Sequence, residues 1–130
     1  MTARRRLASG LALSAALALA ACDSGPEGPG VLSAKVTSPE PLGAVVLELT
    51  GTGITGFEAQ GSIQLFGAVG GAGSQRHRVI LVSPGGATEF PFGIRFEDRA
   101  GDMPSVVAIT ASSPTNATAS AAGLKVRIER

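Results

Sequence analysis

The chain has no tryptophan and no tyrosine, and only one cysteine and one histidine among its 130 residues. Each shortage closes off some chemistry. A zinc site wants several Cys and His ligands, and a single one of each does not supply them. A nucleophilic triad needs an imidazole held between a hydroxyl and a carboxylate. His77 is the sole imidazole in the sequence, and no Gly-x-Ser-x-Gly turn accompanies it. It stands between Arg76 and Arg78 at the start of an alternating segment, which reads as an ordinary surface or part-buried strand position. The absence of Trp and Tyr removes the amphipathic rings on which sugars usually stack. The aromatic content is five phenylalanines, Phe57, Phe66, Phe90, Phe92 and Phe96. The expectation is a protein that is not an enzyme and carries no cofactor.

Positive charge is also scarce. The formal net charge is +1, but three of the eleven basic residues, Arg4, Arg5 and Arg6, lie in the N-terminal segment. Without them eight basic residues face ten acidic ones, a net charge of −2. Nucleic-acid binding draws most of its affinity from Lys and Arg on phosphates, so it is not expected here. The cluster Arg76-His77-Arg78 is too short to count as a basic interaction block.

What the sequence does have is a tripartite beginning. A basic "MTARRR" precedes an apolar run, Leu7 to Ala21, which ends at Cys22. This is the layout of a secretory signal peptide, here residues 1–21. The run has 15 residues, fewer than the roughly 20 of a spanning helix. As a free segment its Ala and Leu content favours a helix.

Leu19-Ala20-Ala21-Cys22 resembles the lipobox of bacterial lipoproteins, a Leu three positions before a cysteine with two small residues between. The resemblance implies cleavage between Ala21 and Cys22 and an acylated Cys22 as the first mature residue. It also accounts for an unpaired cysteine in an exported chain. Two or more acyl chains anchor stably where one is marginal, each buried methylene contributing about 0.8 kcal/mol. The implied partner is a lipid bilayer of the bacterial cell envelope. Asp23, next in sequence, leaves inner and outer membrane both open.

Residues 22–30 combine the lipidated cysteine with "DSGPEGPG", a composition of turn formers that reads as a flexible tether. From Val31 to Arg130 apolar residues recur with period two. In "FPFGIRFE" Phe90, Phe92, Ile94 and Phe96 share one face, and in "LKVRIER" Leu124, Val126 and Ile128 do. Similar segments run from 31 to 38, 43 to 51, 54 to 59, 62 to 69, 77 to 83 and 105 to 112. Seven or eight short strands punctuated by Gly, Pro, Ser and Thr indicate an all-β fold, a single antiparallel β-sandwich of immunoglobulin-like outline over residues 31–130. Such a domain buries roughly two-thirds of its unfolded surface and needs no disulfide. The expected core is Val36, Val45, Leu47, Leu49, Ile63, Leu65, Val79, Leu81, Phe92, Ile94, Phe96, Val107, Ile109, Val126 and Ile128. "PLGAVVLELTGTGITGF" resembles the early strands of cohesin-type sandwiches, where Gly-Ala leads into an alternating strand; no cohesin binding residue maps onto it.

Three loops invite a functional reading. "FEDRAGDMP" offers Glu97, Asp98 and Asp102 as calcium candidates, but it lacks the Asp-x-Asp-x-Asp-Gly spacing and places Arg99 beside Asp98. Turn chemistry suits these acids better. "GAVGGAGS", Gly67 to Ser74, is glycine-rich without the Lys-Ser/Thr of a phosphate loop and reads as a mobile connection. Asn116-Ala117-Thr118 matches a glycosylation sequon that has no use in a bacterial lipoprotein. The leading expectation is a membrane-anchored module with a structural or protein-binding role in the envelope. A sugar- or calcium-binding module is the alternative, which Phe57 or Phe66 exposed in a concave face would favour; a hydrolase ranks third.

Overall fold

The computed structural model describes residues 25–71 and 74–130. The signal segment 1–21, the Ala21/Cys22 junction, Asp23 and the middle of the glycine-rich loop lie outside the described residues. Seven strands follow in order: β1 (Gly30–Thr50), β2 (Ile54–Ala59), β3 (Gln64–Ala68), β4 (Arg76–Phe96), β5 (Ser105–Ser112), β6 (Thr118–Ala119) and β7 (Lys125–Glu129). The described residues contain no helix. All strand pairs are antiparallel and belong to one seven-stranded sheet. The all-β, antiparallel expectation therefore holds, and hydrogen bonding links all the strands into a single sheet.

The main departure from the sequence pattern is that β1 and β4 are each 21 residues long. Each fuses two segments that alternation marks as separate. The joins contain Pro39-Glu40-Pro41 in β1 and Pro84-Gly85-Gly86 in β4, residues that ordinarily punctuate strands. Here they form a bend within paired strands, with register shifts between Thr37 and Leu42 and again between Leu42 and Ala44. Proline lacks the N–H for a ladder bond, and bulges are where a sheet tolerates it.

The bend also changes which positions face inward. Leu32, Ala34, Val36 and Ser38 are buried before it, Val45, Leu47 and Leu49 after it. β4 mirrors this with His77, Val79, Leu81 and Ser83, then Phe90, Phe92, Ile94 and Phe96. Even positions give way to odd in β1, and odd to even in β4. Side chains in a strand alternate strictly, so only an irregularity at the bend can keep one face of both strands turned to the core.

Each long strand thus contributes to two arms. In the first, β7 and β4 flank β1, and β2 borders β4, with Val36 opposite Phe90 and Ala34 opposite Phe92. In the second, β5 and β4 flank β1, and β3 borders β4, with Leu47 opposite Val79. Residues from both arms form one core cluster. Phe90 and Phe92 are its largest members, and burying such a side chain contributes about 1.5–3 kcal/mol.

Most of the expected core is buried. Leu65, Val126 and Ile128 pack half-buried on its margin. Val107 and Ile109 are a correction: they are 61% and 45% exposed. β5 carries apolar residues at both parities, and register decides between them. Val106 lies opposite Leu49 and Ala108 opposite Leu47, so these two share the inward face and their larger neighbours turn out.

Candidate functional site

The two arms present very different outward faces. On the first arm the outward positions of β1, β4, β2 and β7 are mainly polar and charged, with ion pairs Lys35–Glu89 at 3.7 Å, Arg127–Glu129 at 3.8 Å, and Arg95–Glu58. Exposed pairs of this kind contribute little stability but keep a face solvated.

The second arm turns apolar residues outward. One row across it runs Phe66, Ile80, Val46 and Thr110; the next runs Ala68, Arg78, Glu48 and Val107. Phe66 is 59% exposed and Ile80 37%, with Val107 and Ile109 exposed beside them and Val46 and Val82 half-buried. Arg78 and Glu48 pair at 3.4 Å within this field. Neighbouring positions on one face lie about 5 Å apart, so these side chains form a contiguous surface rather than scattered exposures. A contiguous exposed apolar patch is the usual mark of an interaction site.

Phe57 and Phe66 separate clearly. Phe66 sits on this outward face, whereas Phe57 is half-buried, its ring 6.4 Å from that of His77. His77 is buried and its Nδ1 accepts a hydrogen bond from the Gly70 N–H at 3.0 Å. Nδ1 can accept only without its own proton, so the geometry fits the Nε2–H tautomer. Among the described residues its hydrogen-bond partner is a main-chain N–H and its ring neighbour a phenyl ring, neither of which is a triad partner. The flanking Arg76 and Arg78 point outward, as alternation requires. Together with Glu48, Val69 and Gly70 these residues line an open hollow of about 380 Å³.

The loop between β4 and β5 places the calcium candidates. The described residues contain no group of three His, Cys, Asp or Glu side chains able to hold a metal ion. Asp98 Oδ1 accepts from the N–H groups of Gly28 at 3.0 Å and Ala100 at 2.9 Å. Glu97 and Asp102 are exposed on either side. Arg99 completes the arrangement. Its main-chain N–H donates to the Gly28 carbonyl at 2.9 Å, its Nε to the same oxygen at 3.3 Å, and its Nη2 to the Glu27 carbonyl at 2.6 Å. The end of the expected tether is therefore bonded to the domain, and β1 starts at Gly30. Two glycines permit this. Gly28 has φ +71°, and a Cβ on Gly30 would lie 2.7 Å from Arg99 Nε. The pairing of Asp98 and Arg99 with the 27–28 backbone was not visible in the sequence, where the only hint was "PEGPG" spacing its glycines among prolines.

Set against known proteins, the chain matches no family model, no curated protein and no solved structure.

Proposed function

We propose that this chain is a bacterial envelope lipoprotein, anchored through acylated Cys22, whose β domain is a non-catalytic protein-interaction module. The observation that carries the interaction role is the contrast between the two arms. The outward face of the first arm is mainly charged and ion-paired, whereas that of the second carries Val46 and Ile80 on the two long strands, Phe66 on β3 and Val107 on β5, around the single pair Arg78–Glu48. Solvation alone gives no reason for such a difference, whereas a partner covering the second arm does. The anchor reading rests on Leu19-Ala20-Ala21-Cys22. The aligned rows of outward side chains suit a broad, flat partner surface.

Two measurements test the two halves of this reading. Mass spectrometry of the mature protein should find acyl chains on Cys22, and Cys22→Ala should release the protein from the membrane fraction. A photo-crosslinking residue in place of Phe66 should form discrete protein adducts in intact envelopes, and Ile80→Glu should abolish them. The same probe in place of Lys125, on the charged arm, should form none. Equal adducts at both positions would remove the interaction face.

A further inference from the structure

We propose that the Asp98–Arg99 loop is a clasp that holds the segment Glu27–Gly30 against the domain, so that the anchor's free length is set by the fold rather than by composition. This rests on the reading of Cys22 as the lipidated residue.

Four hydrogen bonds tie down two consecutive residues: the Gly28 N–H donates to the Asp98 carboxylate, the Gly28 carbonyl accepts two bonds and the Glu27 carbonyl one. Their partners are one side-chain carboxylate, one guanidinium and one main-chain N–H, all on adjacent residues of a single loop. The loop is itself braced. Asp98 caps the Ala100 N–H, Gly101 N–H donates to the Asp98 carbonyl at 3.1 Å, and the Arg130 guanidinium donates to the Gly101 carbonyl. Asp98 and Arg99 also lie just past the end of β4, after Glu97, and at that end Phe96 lies opposite Gly30. The clasp therefore continues the β1–β4 ladder past its last pair.

The consequence is geometric. Free from Asp23 to Gly30, eight residues reach about 25 Å at roughly 3.3 Å each. With Glu27 held, only Asp23 to Pro26 remain, about 13 Å. The clasped domain stays nearer the bilayer and presents the end that carries the Asp98–Arg99 loop to it.

The Glu27–Gly28 bond lies inside the clasp, so a glutamate-specific protease reads it directly. The full-length protein, processed in its host and reconstituted in phosphatidylcholine vesicles, should be cut slowly there. Arg99→Ala should speed cutting about tenfold or more, since each 1.4 kcal/mol of lost hold is a factor of ten and two of the four bonds are removed. Gly28→Val breaks the clasp from the other side, because a β-branched residue does not take φ +71°, and it leaves the domain's own residues untouched. It should speed cutting similarly. Energy transfer from a dye on Thr115→Cys to labelled lipid should fall in both variants as the domain gains reach. Rapid cutting in the unmodified protein overturns the clasp. Slow cutting with energy transfer unchanged by either variant overturns its control of reach. Finding no acyl chain on Cys22 overturns the anchoring role; protection of Glu27 is read separately, so the two failures are distinguishable.

Discussion

The ring of Phe57 meets that of His77 edge-on, 6.4 Å between centroids at 64°, although the two belong to different arms of the sheet. Phe57 pairs with Ile94 in the first arm, while His77 pairs with Leu49 in the second. The contact joins the two arms beside the core cluster to which both contribute. Gly67, also of the second arm, leaves the space for it: a Cβ there would lie 2.9 Å from Phe57 Cδ2.

Truncation at this junction should loosen the closure of the arms. Phe57→Ala is expected to cost about 2–4 kcal/mol, toward the low side of Phe→Ala values because the ring is half-buried. Urea denaturation should report it as a lower midpoint with an unchanged slope.

His77 gives a spectroscopic check. The bond from Gly70 N–H to Nδ1 requires the Nε2–H tautomer, and imidazole nitrogen NMR shifts at neutral pH should identify it. Observation of a proton on Nδ1 would refute the arrangement around the β3–β4 loop.

Adjacent residues of β5 should respond oppositely to one substitution. Val107→Lys, on the outward face, is expected to change stability by no more than about 0.5 kcal/mol. Val106→Lys places a charge against the core beside Leu49 and should cost about 2 kcal/mol or more. Reversed effects would mean that the register of β5 is shifted by one residue.

At the bend, Gly86 has φ +83°, and a Cβ there would come 2.7 Å from Pro114 Cγ. Gly86→Ala should therefore destabilise by about 1–2 kcal/mol, combining backbone strain with a clash. Gly85→Ala has open space around its Cβ and no positive φ, so it should be near neutral. Thermal melts of the two variants make the comparison.

Legibility differed from one element to another. "FPFGIRFE" has one large apolar residue at every second position, so its inward face could be read without a partner strand. "SVVAITAS" has apolar residues on both faces, so alternation along it does not say that Val106 and Ala108, rather than Val107 and Ile109, turn inward. The fused strands were hidden for another reason. Pro39, Pro41, Gly85 and Gly86 signal an end to a strand locally, yet the ladder resumes beyond them because the opposing strand bends at the same place. Phe66 is exposed, as one of the two phenylalanines whose exposure bears on function, and Asp98 does the turn chemistry its sequence suggests by bonding Ala100 N–H, but its second bond, to Gly28 N–H 70 residues away, has no local signal.

Period-two hydrophobicity by itself determined that the domain is all-β and most of the residues of β1 and β4 that meet in the core, Leu32, Ala34, Leu42 and Phe90 being added by the structure; the lipobox resemblance rests on the four residues Leu19-Ala20-Ala21-Cys22 alone. These are local properties, encoded within eight residues or fewer. Only the tertiary structure decided that two strands run through a bend, that one arm exposes its apolar residues, and that Asp98 and Arg99 grip Gly28. Each depends on residues some 14 to 71 positions apart whose register is chosen by the whole sheet, and alternation along one strand carries no information about what lies opposite.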